Sequence, residues 1–231
     1  MKVVKNFDRV IKVPAAGVSL GPRDREKIRP EMKERVERVL ITGKVIRKRL
    51  QALARDISQF YQGDPRIELI FVLEGASTFA ANLAQEIFKA GGPEIRMQSI
   101  KARTYGTEIK ENGETVRPVK IFSVPPSLVG GEVLLVEDII DQGFTLSAVK
   151  DWLVREAGAR EVKICALLDK KLTNPSPQVK KARQGLKPDW IGFEIPDRWV
   201  AGFGVDAGDD FRFLPFVVTV REEYYRRGGT K

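Results

Sequence analysis

Histidine is absent from all 231 residues of the chain. That absence removes Ser-His-Asp and Cys-His nucleophilic catalysis. With only one cysteine, it also removes the common nitrogen- and sulfur-ligated zinc sites. Acid–base chemistry must therefore come from carboxylates, lysine or tyrosine. A metal ion must sit on oxygen ligands, which points to magnesium or calcium. The lone Cys165 allows no intramolecular disulfide, and a chain without a disulfide framework fits a reducing compartment. Lying mid-strand, this cysteine reads as a small buried hydrophobe and not as a nucleophile. No apolar run approaches the roughly 20 residues that span a bilayer, and the opening MKVVKNFDRVIKV has no apolar signal-peptide core. The expectation is a soluble, cytoplasmic protein without a membrane partner.

Positive charge is in excess. Forty Lys and Arg stand against 31 Asp and Glu, for a net charge of +9. Such a balance suits nucleic acid, a polyanionic small substrate, or merely a solvated basic surface. The basic residues are scattered, and only Lys180-Lys181-Ala182-Arg183 and Arg226-Arg227 cluster. With 42% hydrophobic and 31% charged residues the composition is that of a globular protein, and the length fits one sizeable domain.

Residues 1–38 contain Pro14, Pro22 and Pro30 and read as an amino-terminal arm that closes in a helix near 31–38. Val39-Leu40-Ile41-Thr42 is a short apolar run ending in a good helix cap. The spacing of Ile46, Leu50, Leu53, Ile57 and Phe60 predicts the helix that follows. ELIFVL at 68–73, EVLLV at 132–136 and VKICALL at 162–168 predict buried strands, with a further strand at 95–100. Helices are expected at 77–90, ended by Gly91-Gly92, and at 145–156. Strands alternating with helices imply an α/β fold with a doubly wound, mainly parallel sheet. The polar stretch TYGTEIKENGETVRP at 104–118 reads as a long exposed loop or hairpin, and loops of this length are often functional lids. After Pro175 the segments shorten, which suggests a small β-rich hood at about 175–215. The main domain then spans 39–220, with a basic tail at 221–231.

The strand at 132–136 runs into Glu137-Asp138-Ile139-Ile140-Asp141-Gln142-Gly143-Phe144-Thr145, where a helix begins. Ligands of open α/β sheets sit at the carboxyl ends of strands. Amides of a tight turn at a helix amino terminus point at an anion, and the helix dipole supports it. Gly143 permits close approach of the backbone, Thr145 adds a hydroxyl, and Glu137 with Asp138 offers paired acceptors for a diol or a magnesium-bound ligand.

VLLVEDIIDQGFTL closely resembles the phosphoribosyl-pyrophosphate motif of the type I phosphoribosyltransferases. Four further segments narrow the resemblance to hypoxanthine-guanine (6-oxopurine) phosphoribosyltransferases. LEGASTFAANL at 73–83 is similar to that family's pyrophosphate loop. Ala102-Arg103-Thr104-Tyr105 is similar to the start of its flexible lid, and VKICALLDKK at 162–171 to its base-reading strand. PDWIGFEIPDRWVAGFGVD at 188–206, followed by Phe211-Arg212, is similar to its purine-binding hood. The five segments fall in order, with compatible spacing, over about 39–220.

The resemblance implies a Rossmann-like fold and transfer of phosphoribose from phosphoribosyl pyrophosphate to hypoxanthine or guanine, with Mg2+ as cofactor. Asp141 would be the general base near purine N7. The backbone of Asp141, Gln142, Gly143, Phe144 and Thr145 would cradle the 5′-phosphate. Glu137 and Asp138 would hold the ribose hydroxyls, partly through magnesium, and Asp206 would hold a second magnesium. Lys170 would donate to the 6-oxo group, Trp199 would stack on the purine and the Val200 backbone would meet the base edge. Leu73, Glu74 and Gly75, with a cis peptide between the first two, would meet pyrophosphate together with Arg212. Thr104 and Tyr105 would open the lid, and a dimer or tetramer is the family's habit.

Singly, Lys170 reads first as a strand-end charge and Trp199 as a core aromatic, and Asp206 and Arg212 read also as a turn acid and a surface cation. Their shared register is what joins them. The chain departs from the family at Glu74, where Lys or Arg is usual, at Gln142 in place of Thr, and at Phe144, a position commonly polar. Two rivals stay open at this point. One is a regulator that keeps the fold and binds nucleic acid or a nucleotide without turnover. The other is an enzyme of the same fold acting on xanthine or a pyrimidine.

Overall fold

The computed structural model describes residues 1–104, 108–109, 115–116, 119–123, 128 and 130–226. In chain order the elements begin with short strands β1 (Lys2–Val3), β2 (Ile11–Lys12) and β3 (Val18–Ser19), a 3-10 turn at Pro30–Met32 and strand β4 (Val36–Ile41). Helix α1 (Gly43–Phe60), β5 (Arg66–Leu73), α2 (Ala76–Lys89) and β6 (Glu94–Thr104) follow. After them come β7 (Glu108–Ile109), β8 (Thr115–Val116), β9 (Val119–Ser123), β10 (Glu132–Ile140), α3 (Phe144–Arg155), β11 (Glu161–Lys171) and α4 (Pro177–Gly185). The last are β12 (Trp190–Pro196), β13 (Val200–Ala201), β14 (Val217–Val220) and α5 (Glu222–Arg226).

The central sheet has the order β2-β12-β11-β10-β5-β6-β9. Every neighbouring pair is parallel except β6 with β9 at the edge. Its middle strands read as continuous apolar runs because both faces are covered. Leu134 and Val136 of β10 point into the cluster that contains Ile46, Leu50 and Leu53 of α1 and Phe79 and Leu83 of α2. Val133 and Leu135 point to the opposite side, among Leu146, Val149 and Leu153 of α3. The sheet is thus doubly wound, as expected. A second sheet, β1-β3-β4-β14-β13, carries its own apolar cluster around Val36, Phe211, Phe216 and Val218.

Three expectations change. The segment near 31–38 is a 3-10 turn followed by a strand, not a helix, because Val36 pairs with Val220 across the second sheet. Trp190 to Phe193, expected in the hood, belong to a strand of the central sheet, where Cys165 pairs with Trp190 and Leu168 with Phe193. The strand expected to stop at Val136 runs on to Ile140, since the backbone of β11 continues alongside it and pairs Ile140 with Asp169.

Residues before β4 are woven into both sheets. Phe193 pairs with Ile11, and Val18 with Ile41. The buried Arg49 guanidinium ties this segment to the core by donating to the carbonyls of Phe7, Ile191 (2.7 Å) and Gly192 (3.1 Å). A buried cation persists only where such acceptors surround it. Thr42 is the residue before α1, as its position predicts, but its hydroxyl donates to Asp24 (2.5 Å). Glu26 instead accepts from the first helical amide, Gly43 N–H, at 3.1 Å.

Candidate active site

The carboxyl ends of β5, β10 and β11 open into a cleft of about 520 Å³, roofed by the hood residues Trp199, Val200, Asp206 and Arg212. Leu73, Glu74 and Gly75 line it, as do Glu137, Asp138, Asp141, Gln142, Gly143, Phe144, Thr145 and Lys170. One cavity therefore gathers all the residues singled out from the sequence except the lid pair. Thr104 is the last residue of β6, and Tyr105 lies outside the described residues together with much of the 104–118 loop. Within that stretch the described strands β7 and β8 pair antiparallel.

Continuation of β10 to Ile140 sets the acids on a rigid strand. Glu137 and Asp138 are each only 7% exposed. Burial pushes the Glu137 carboxyl well above the usual carboxylate range, and the neighbouring Asp138 charge adds to the effect. Burial also raises Asp138, opposed by its hydrogen bond with Glu137 and by the Ile139 N–H, 2.9 Å from Oδ1. The loop after β5 packs directly on this pair. A Cβ at Gly75 would lie 1.9 Å from Asp138 Oδ2, so only glycine fits. On its other side Gly204 of the hood meets the Gly75 carbonyl, with a Cβ there only 2.1 Å from that oxygen. The Leu73–Glu74 peptide is cis, as the resemblance implied.

At the helix end, Gly143 takes φ +86°, a left-handed conformation that L side chains rarely adopt. No side chain caps α3, and its first residues Phe144, Thr145 and Leu146 line the cleft, which sets a helix amino terminus, favourable to an anion, at the cleft wall. Across from them Lys170 Nζ, on a buried residue, donates to Asp141 Oδ2 at 3.1 Å. In the hood, Arg212 pairs with Asp206 (2.9 Å) and donates to the Gly204 carbonyl (3.0 Å). Trp199 is half-buried, backed by the Tyr225 ring at 5.2 Å. The unusual Glu74 is 56% exposed along its side chain and meets Lys101 of β6 at 3.3 Å, so a cation still stands at this edge of the cleft.

The described residues contain no cluster of three or more acidic, histidine or cysteine side chains fit to hold a metal alone. The donors on hand suit a magnesium ion that takes one or two carboxylates and completes its shell with substrate oxygens and water. Cys165 is fully buried and burial drives its thiol pKa upward, which agrees with an inert core residue.

Sequence reasoning missed several neighbours of the site. Tyr225 sits in what was read as a basic tail, yet α5 carries its ring to the back of Trp199. Lys101 and Arg183 meet site residues only through the fold. The signal nearest to hand was the Lys180-Lys181-Ala182-Arg183 run, which stood out by charge alone.

Comparison with known proteins places this geometry. Residues 42–207 match the model of the phosphoribosyl transferase domain. The hypoxanthine-guanine phosphoribosyltransferase of Bacillus subtilis is 35% identical over 195 residues, covering 84% of this chain and 98% of that protein. The hypoxanthine phosphoribosyltransferase of Salmonella typhimurium is 36% identical over 192 residues, covering 80% of this chain and 96% of that protein. A solved hypoxanthine phosphoribosyl transferase of Trypanosoma cruzi superposes with a TM-score of 0.69 at 28% identity, over 89% of this chain and all of that one.

Proposed function

The chain belongs to the hypoxanthine-guanine phosphoribosyltransferases, and on that premise we propose that it transfers the 5-phosphoribosyl group of phosphoribosyl pyrophosphate to hypoxanthine or guanine, giving IMP or GMP and pyrophosphate. The observation that carries this reading is the convergence of Asp141, Lys170 and Trp199 with the buried acids and the uncapped helix on one cleft.

The parts divide the work. The amides from Asp141 to Thr145 would hold the 5′-phosphate, and Glu137 with Asp138 would hold the ribose hydroxyls. Trp199 would stack on the purine, whose flat face suits it. Lys170, now paired with Asp141, would turn to the 6-oxo group. Adenine presents a donor at that position and would leave the buried ammonium unpaired, which costs affinity. The bond from ribose C1 to pyrophosphate breaks and the bond to purine N9 forms. Asp141, beside N7, would take the proton that the purine gives up. Arg212 and the loop at 73–75 would receive the departing pyrophosphate, and the 104–118 loop would keep water off the ribose cation. Magnesium held by Glu137, Asp138 and Asp206 would supply charge neutralisation for the leaving group.

A cytoplasmic location and assembly as a dimer or tetramer belong to the same proposal. No helix among the described residues is long and apolar enough to cross a membrane, and sedimentation of the purified chain decides the assembly. The activity is tested by incubating the protein with magnesium, phosphoribosyl pyrophosphate and each of hypoxanthine, guanine, xanthine and adenine. IMP or GMP should form, and Asp141→Asn should slow it roughly 10²–10⁴-fold, the usual contribution of a general base. No nucleotide from any base would overturn the proposal. Tight, salt-sensitive nucleic-acid binding without turnover would favour a regulator instead.

A further inference from the structure

Arg183 belongs to none of the segments that resemble the family, and it does not line the cleft. Helix α4 nevertheless carries it to the underside of the phosphate loop. Its Nη1 donates to the Ile140 carbonyl at 3.1 Å and to the Asp141 carbonyl at 2.5 Å, and its Nη2 pairs with the buried Asp169 carboxylate. The contact is close-packed. A Cβ at Gly143 would lie 2.8 Å from Leu186 Cδ1 and 3.3 Å from Arg183 Cγ. Ser176 fixes the start of the helix by accepting from the Val179 N–H, and Val179 and Leu186 are buried.

The consequence follows from peptide geometry. The Ile140–Asp141 and Asp141–Gln142 peptides are trans, since the cis bond of the described chain is Leu73–Glu74. In a trans peptide the carbonyl and the next amide point in opposite directions within one plane. Carbonyls of Ile140 and Asp141 held towards α4 turn the N–H groups of Asp141 and Gln142 the other way, on the side where both residues line the cleft. A guanidinium on the carbonyls also polarises those peptides and strengthens the amides as donors.

We propose that Arg183 is a positioning residue for the phosphate cradle, which it sets from behind by orienting the two peptides at the carboxyl end of β10. The same side chain ties that end to Asp169 of β11, next to Lys170. The phosphate-binding turn and the base-reading strand therefore move as one piece. This inference rests on the phosphoribosyltransferase reading and concerns how that site is held.

The test compares GMP with guanosine, which differ only in the 5′-phosphate, by calorimetry on wild type, Arg183→Met and Arg183→Lys. The methionine keeps an unbranched apolar stem, while the lysine can reach one carbonyl at a time. Arg183→Met should bind GMP about tenfold more weakly and guanosine unchanged, a loss the size of one or two charge-assisted hydrogen bonds. Arg183→Lys should fall between it and wild type. In turnover, KM for phosphoribosyl pyrophosphate should rise while KM for hypoxanthine holds. Equal loss for GMP and guanosine, or no loss for either, overturns the proposal. If the methionine variant does not fold, the lysine variant carries the same comparison by its GMP-to-guanosine ratio. A wild type that shows no preference for GMP over guanosine instead refutes the phosphate site itself.

Discussion

The two ends of the central sheet handle charge in opposite ways. At the amino ends of the strands each acid has a cation for a partner: Glu132 with Arg160 (2.5 Å), Glu161 with Lys163 (2.8 Å), and Glu68 with Arg96 (3.8 Å). Arg160 and Arg96 are more than half exposed along their side chains. Pairs of this kind gain little, because water screens them and their side chains lose freedom. At the carboxyl ends Glu137 and Asp138 are buried against one another, and Lys170, also buried, pairs with Asp141 in the same cleft. One end is arranged for solubility. The other holds charge out of water in an arrangement that a polar ligand would complete, which is costly for the free protein and is found where chemistry is done.

The contrast can be broken most sharply at Gly75. An alanine there must displace either the Asp138 carboxylate or the loop itself, because the added carbon would lie 1.9 Å from Oδ2. A shift of about 1 Å in a catalytic site costs on the order of 10²-fold, so kcat/KM for Gly75→Ala should fall by about that much, and the melting temperature should drop by a few degrees as the buried clash is relieved. Steady-state kinetics beside a thermal melt reads both.

Lys170→Met comes next. It should lower kcat/KM for hypoxanthine roughly 10–100-fold, the worth of a hydrogen bond from a buried charge, and narrow the preference over adenine. Retention of full selectivity would remove Lys170 from base recognition.

Glu137→Gln sharpens the comparison through pH. A carboxyl raised in the folded state contributes stability below its ordinary pKa of 4.5 and loses that contribution as pH rises through the raised value. The amide never ionises. The variant should therefore melt a few degrees above wild type near pH 7, and the gap should close as the pH falls below about 4.5. A constant gap across that range would mean that packing and not charge separates the two proteins. Smallest of all, Arg160→Ala with Lys163→Ala at the opposite end should leave melting temperature and turnover unchanged within error.

Much of the sheet was legible because burial on both faces writes continuous apolar runs, as in EVLLV and VKICALL. Helix α1 was legible from the spacing of Ile46, Leu50, Leu53 and Ile57, all buried against the core. The end of β10 was not. Glu137 and Asp138 look like a loop in one dimension, yet ladder pairing with β11 depends on backbone and not on side-chain polarity. The two-residue strands β1, β2 and β3 carry no period to read, and they become strands only through pairing, β2 with the distant β12 and β1 and β3 with one another and with β4. The cleft residues stood out because their types and order match a known pattern. Arg183 and Tyr225 act on that cleft through packing from behind, and a pattern of cleft residues has no place for them.

The second sheet has a consequence in time. Its strand β4 pairs with β14, so that Ile41 waits for Val217 and Val36 for Val220. Chains are synthesised from the amino end at about 5–20 residues per second, and contacts between distant residues close late and at a high entropic cost. The central sheet and its helices can pack while translation continues. The roof that carries Trp199, Asp206 and Arg212 must wait until the ribosome has delivered the partner strand, so the cleft becomes whole only after residues 217–220 have emerged.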